Sequence, residues 1–172
     1  GVSCIASNSY QGCSPSDTCD PSSSLTGAYL WVSANSDLPF QYGVDLGSAI
    51  VAERVYLENA HSSGGRVDWG IRLFDVYGGN TQADWAGFIF ANMVKLNNFT
   101  LMALAHVSAD TADPRYFDLD NTVAYRYYLL NILSHYGGNY LGFRRVEMMS
   151  SCSSGTAHSA INPFFLPSRP PS

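Results

Sequence analysis

The sequence predicts an α+β protein: a mainly antiparallel sheet packed with about three helices, its termini linked by disulfides. Three observations predict this. Strand-like and helix-like segments alternate along the chain. Residues 67–73 alternate strictly, with Val67, Trp69, Ile71 and Leu73 on one face and Asp68, Gly70 and Arg72 on the other. Cysteines stand near both ends, at Cys4, Cys13, Cys19 and Cys152. A strand with one polar face belongs to an antiparallel sheet, because parallel strands are normally covered on both sides.

Taken in order, residues 1–27 are rich in Ser, Pro, Gly and Cys and read as a cross-linked loop segment. Ala28 to Ser33 reads as a strand. Leu46 to His61 carries Ala49, Ile50, Val51, Ala52, Val55 and Leu57 before a Ser-Ser-Gly-Gly stop, and predicts a first helix. Residues 67–73 form the half-solvated strand, and Gly78-Gly79-Asn80 turns the chain. Ala83 to Leu96 predicts a second helix. Thr100 to Val107, apolar on both faces, suits a central strand. Asp118 to Tyr136 predicts a third helix, with Asp118 or Asp120 as its cap, Leu129, Ile132, Leu133 and Tyr136 at helical spacing, and Gly137-Gly138 after the last turn. Tyr140 to Ser150 returns as a strand and delivers Cys152 to a bridge. The domain reading is a loop segment at 1–27, one α+β domain at 28–165 and a Pro-rich extended tail at 166–172.

Composition narrows the function. With 46% hydrophobic and 13% charged residues the chain has enough apolar side chains for a core, so disorder throughout is excluded. No apolar run reaches the roughly 18 to 20 residues of a membrane-spanning helix. A net charge of −5 with a single lysine, Lys95, lacks the basic footprint of a nucleic-acid backbone binder.

Four cysteines allow three pairings, and in each of them Cys152 joins a cysteine of the first nineteen residues while the other bridge staples a local loop. Their spacing lacks the close Cys-x2-Cys pair of zinc sites, so disulfides are expected and no metal is assigned. The disulfide pattern points outside the cell. A start at Gly1 fits a processed chain. Asn98-Phe99-Thr100 is an Asn-x-Thr glycosylation acceptor.

The densest polar cluster is His106, Asp110, Asp113, Arg115, Asp118 and Asp120. A histidine beside carboxylates can serve as a general acid or base, and an arginine can hold an anion. His106, Asp110, Asp113 and Arg115, with Glu147 from the last strand, are therefore the candidate catalytic residues. The ordinary alternatives are turn chemistry at Asp113-Pro114, helix capping at Asp118 and Asp120, and a backbone-bonded core histidine at His106. Glu53, Glu58 and Glu147 are the only glutamates; a pair flanking a sugar bond would make a glycosidase, while ion pairing with Arg54 and Arg145 explains two of them equally well. Gly-x-Ser-x-Gly, phosphate-cradling glycine loops and His-x-x-x-His are absent. Tyr and Trp residues offer flat contact area for sugars or proteins where they are exposed.

The leading functional reading is a secreted, disulfide-stabilised binding protein, such as an effector, toxin or surface-recognition domain, with a protein or glycan partner on another cell or organism. It predicts an exposed aromatic or apolar patch and no convergent pocket of ionisable groups. The alternative is a secreted hydrolase, a nuclease or glycosidase, working through His106. A third is a coat subunit with a self-complementary apolar face. No cofactor is expected.

Overall fold

The structure, a computed structural model, describes residues 1–27 and 31–150. Ten strands form two antiparallel sheets packed face to face: β1 (Ser3–Ala6), β2 (Trp31–Val32), β3 (Phe40–Ile50), β4 (Arg54–Asn59), β5 (Ile71–Gly79), β6 (Val94–Lys95), β7 (Leu101–Met102), β8 (Pro114–Asp118), β9 (Tyr125–His135) and β10 (Gly142–Met149). One sheet runs β1-β3-β9-β5-β6, with β7 also pairing β5; the other runs β2-β10-β4-β8. Among the described residues the single α-helix, α1 (Gln82–Ala86), is barely more than one turn.

This is an all-β sandwich, which corrects the expected α+β class with three helices. The physical reason differs at each element. Tyr125–His135 pairs with β3 on one side and β5 on the other, both together along Tyr127–Ile132. Tyr128, Leu130 and Ile132 face the inter-sheet core, while Tyr127 and Leu129 face outward under Trp85 and Met93. A strand covered on both faces loses its period of two, and its continuous apolar run then satisfies helical spacing by coincidence. Leu46 to His61 cannot be one helix because Gly47 adopts φ +76°, its N–H donating to Asp45 Oδ1 at 2.7 Å; the segment is instead the end of β3, a short loop and β4. Residues 83–96 stop helical growth at Gly87, whose N–H closes on Ala83 O, and at Phe88, which takes a left-handed φ of +53°.

The expected strand at 67–73 begins with a 3-10 turn, Val67–Trp69, before β5. The expected strand at 100–107 is paired only at β7, whereas the strand expected at 140–150 is found as β10. The N-terminal segment contributes β1, paired along β3 from Ser3↔Asp45 to Ala6↔Tyr42, and is stapled by Cys4–Cys19. Ala28 to Leu30, the bridge to Cys152 and the Pro-rich tail lie outside the described residues.

The core centres on Trp31, fully buried, with Phe40, Tyr42 and Phe143 at ring-centroid distances of 5.6, 5.4 and 5.0 Å. Each such tilted or edge-to-face pair adds about 0.5–1.5 kcal/mol beyond area burial. On the outer face of the larger sheet, Trp85 lies directly over Gly43, where an added Cβ would come 2.6 Å from the indole nitrogen. The connections at 7–27, 33–39, 60–70, 103–113 and 136–141 gather at one end of the sandwich, since β3, β5 and β10 begin there and β1, β4 and β9 finish there. No helix among the described residues is long and apolar enough to cross a membrane.

Candidate functional site

Two arrangements at the loop-bearing end could carry function. The first is a buried polar network. Glu58 lies on the outer face of β4, yet the 103–113 connection covers it completely. Its Oε2 accepts from the Tyr56 hydroxyl at 3.0 Å, and its Oε1 faces His106 Nε2 at 3.2 Å and accepts from the Asp113 N–H. The other nitrogen of His106 is 2.6 Å from Val107 O, so both ring nitrogens face acceptors. The His61 ring stacks on His106 with centroids 4.0 Å apart.

His61 has the opposite pattern. Its Nε2 is 2.9 Å from Leu25 O and its Nδ1 accepts from Gly64 N–H, which fixes a neutral imidazole with the hydrogen on Nε2. Burial holds its pKa below the usual histidine range; the Leu25 carbonyl and Asp110 pull upward, and His106 and Arg144 push further down. Arg144, with 1% of its surface exposed, donates to the carbonyls of Ser24, Thr26, Gly27 and His61. Desolvation lowers its pKa, with Asp110 and Glu58 opposing.

The structure therefore brings His106 and Asp113 together around Glu58. Arg115 is bonded to Asp113 at 2.8 Å, and Asp113 Oδ2 also accepts from Val107 N–H. Asp110 stands apart from His106, accepting from Gly27 N–H at 2.7 Å and lying 3.9 Å from His61 Nδ1. Glu147 is elsewhere, 3.6 Å from Arg145 on β10. The expected helix caps instead pair sideways: Asp118 with Arg54 at 2.7 Å, Asp120 with Asn98 at 2.8 Å. His106 meets its carboxylate, but both side chains are withdrawn from solvent. What this geometry does is tie residues 24–27 and the 103–113 connection onto the smaller sheet.

The second arrangement faces solvent. Tyr10, Trp69 and Tyr140 converge from three connections around a cleft of about 80 Å³ floored by Val32. The Tyr140 ring meets Tyr10 edge-on at 5.5 Å and Trp69 at 5.3 Å. The Arg66 guanidinium sits 5.5 Å from the centre of the Trp69 ring. In the neighbouring connections Asn8 donates to Asn35 Oδ1 at 3.2 Å, and Asn35 donates to Asp37 at 2.6 Å. Backbone chemistry positions Trp69. It closes the 3-10 turn, Gly138 N–H bonds Asp68 O at 3.0 Å, and the indole edge rests where a Cβ on residue 138 would stand. Only glycine leaves that room.

The alternation of residues 67–73 predicts Trp69 on the apolar face of a strand, whereas it closes a 3-10 turn and lines the cleft. The available signal was the glycine after it, Gly70, and the Gly137-Gly138 pair that makes its seat. Among the described residues no cluster of ligating side chains could hold a metal ion.

No family model matches the sequence, and no curated protein does. Solved structures do match in fold. An F5/8 type C domain from Bacteroides fragilis superposes with a TM-score of 0.61 at 15% identity, covering 85% of this chain and 89% of that one. A family 32 carbohydrate-binding module of Clostridium perfringens NanJ, solved with galactose, gives 0.53 at 11% identity over 84% and 90% of the two chains. The family 32 module of AlyQ, solved with 4,5-unsaturated mannuronic acid, gives 0.56 at 18% over 84% and 91%. The chain spans only 30% of a truncated AlyQ that also carries an alginate lyase domain, and 13% of a family 89 glycoside hydrolase chain from C. perfringens. These likenesses establish a shared sandwich fold.

Proposed function

We propose that this chain is a carbohydrate-binding module acting outside the cell, with its ligand seat at Tyr10, Trp69 and Tyr140. The observation that carries the reading is the open aromatic cluster at the loop-bearing end of the sandwich. Aromatic faces supply apolar area for the C–H face of a pyranose at low entropic cost, while adjacent polar groups select the hydroxyl pattern. Arg66, over the Trp69 ring, is such an adjacent group. The cleft is shallow, and a volume of about 80 Å³ receives part of one ring, which suits the end of a glycan better than the middle of a polymer.

The modules that share this fold were solved with galactose and with an unsaturated uronic acid, which supports sugars as the ligand class. The Cys4–Cys19 bridge supports an oxidising, extracellular setting. The buried network around Glu58 is read as scaffold, and the role is recognition rather than hydrolysis.

The test is titration of the protein with galactose, N-acetylgalactosamine and unsaturated uronate, followed by intrinsic tryptophan fluorescence and calorimetry, alongside a glycan array. Saturable binding that weakens at least about tenfold in Trp69→Ala, equivalent to about 1.4 kcal/mol, supports the proposal. Absence of binding across the array, or full affinity in Trp69→Ala, overturns it.

A further inference from the structure

The edge where the two sheets meet carries a feature that the proposed ligand seat does not use. A groove of about 420 Å³ runs between the loop at 97–101 and the end of β8, lined by Asn97, Asn98, Phe99, Leu101, Asp118 and Asp120 among others. Phe99 stands in it 86% exposed, by far the most exposed large apolar side chain described. The loop beneath it is firmly built. Asn97 donates to Asp75 Oδ1 at 2.9 Å and accepts from Val76 N–H at 2.8 Å, and Lys95 Nζ lies 3.0 Å from Asp75. Burial pushes the Asp75 carboxyl up, but hydrogen bonds from Asn97, Lys95 and Thr100 outweigh it and hold it below the usual carboxylate range. Phe99 is thus displayed on a rigid support, and a bare phenyl ring in water contributes nothing to folding.

Asn98-Phe99-Thr100 is the only Asn-x-Ser/Thr triplet in the whole sequence, and all three residues are exposed. We propose that Asn98 is an N-glycosylation site whose first sugar lies in this groove against Phe99. The donor is a lipid pyrophosphate-linked oligosaccharide. Asn98 Nδ2 attacks the anomeric carbon, the C–N bond forms as the bond from that carbon to the pyrophosphate oxygen breaks, one amide hydrogen leaves as a proton, and the lipid pyrophosphate departs. The transfer precedes folding, so the later bond from Thr100 to Asp75 is no obstacle.

The folded geometry accepts the product. Nδ2 has two hydrogens, and it now donates one to Asp120 Oδ2 at 2.8 Å. After substitution one hydrogen remains for that same bond, which aims the other position, now carrying the sugar, away from Asp120. The occupant of the groove is therefore a segment of the molecule's own covalent structure. This inference does not rest on the aromatic seat at Trp69, which lies at the end of the sandwich, not along its edge.

The test is secretion of the full chain from yeast together with Asn98→Gln, Thr100→Ala, Thr100→Ser and Phe99→Ala. Intact mass should show one glycan on wild type, Thr100→Ser and Phe99→Ala, removable by peptide N-glycosidase, and none on Asn98→Gln or Thr100→Ala. Wild-type protein secreted without added mass overturns the assignment. Trimming with endoglycosidase H leaves a single N-acetylglucosamine. That one-sugar form should melt higher than Asn98→Gln in the wild-type background, and the gain should vanish when Phe99 is Ala. An equal gain with and without Phe99 overturns the groove as the sugar's seat. Sugar titration of the trimmed protein reports separately on the Trp69 seat.

Discussion

Replacing Arg144 with Met is the sharpest test of how the loop-bearing end is held. Methionine keeps most of the buried stem and removes only the guanidinium, which donates to the carbonyls of Ser24, Thr26, Gly27 and His61. Hydrogen bonds to a charged group are worth about 1.5–3 kcal/mol each in net terms. Their simple sum overstates the loss, because the Ser24 and Thr26 carbonyls sit in a partly exposed loop and recover water. The buried His61 carbonyl does not recover it, and Asp110 and Glu58 lose a neighbouring cation. Breaking a buried charged arrangement by removing one partner costs about 3–5 kcal/mol, and we expect Arg144→Met to fall in that range. For a chain of this size that corresponds to a fall in Tm of about 6–20 °C, at about 2–4 °C per kcal/mol. Urea unfolding followed by tryptophan fluorescence measures it, with the m-value unchanged. Limited proteolysis should open residues 20–27 first. A loss under about 1 kcal/mol would show that these bonds are replaced by water at no cost, and the account of the network as the fastening of this end would fail.

Other expectations follow from the same geometry. Gly138→Ala places a methyl against the Trp69 ring, so sugar binding should weaken as in Trp69→Ala while unfolding shows a smaller loss of about 1–3 kcal/mol, the usual cost of overpacking; unchanged affinity would separate the ring from the seat. His61 has a depressed folded pKa, so the native state binds fewer protons than the unfolded chain. Stability is then complete above the ordinary histidine value of about 6.5 and falls as pH drops below it, by up to about 1.4 kcal/mol per unit. Denaturant midpoints between pH 7 and 5 check this, and His61→Gln should flatten the slope across that window. Gly78→Ala drives a methyl into the Tyr125 ring and should destabilise by about 1–3 kcal/mol, read from the urea midpoint. Opening Cys4–Cys19, a separation of 15 residues, should cost about 3 kcal/mol by the chain-entropy account. With those two sulfurs joined, mass spectrometry of an unreduced digest should find Cys152 linked to the peptide bearing Cys13.

How much of this was legible in the sequence depends on which faces each strand exposes. β10 was readable because its ends coincide with Gly142 and the change of composition after Met149. β9 was not, because its outward side chains Tyr127 and Leu129 are covered by Trp85 and Met93 from a segment forty residues earlier, and cover of that kind erases alternation. Gly47 and Phe88, whose backbones turn left-handed, broke two expected helices; the first was signalled by its residue type, and the second was not. For the site, the polar cluster of His106, Asp113 and Arg115 was visible as a cluster. Its organiser, Glu58, stands some fifty residues away and joins it only because β4 pairs with β8 through Glu58↔Pro114. The aromatic seat needed three connections to converge, which no local pattern encodes.

The Arg144 bonds also constrain the order of assembly. They join residues 117, 118 and 120 positions apart, so the donor is synthesised long after its acceptors. Residues 24–27 can bond His61, Ser63 and Asp110 earlier, but these carbonyl bonds wait for β10, and closing so distant a contact is entropically slow. During synthesis the early loop is therefore only partly fastened, and the loop-bearing end completes its hydrogen bonding after β10 has formed.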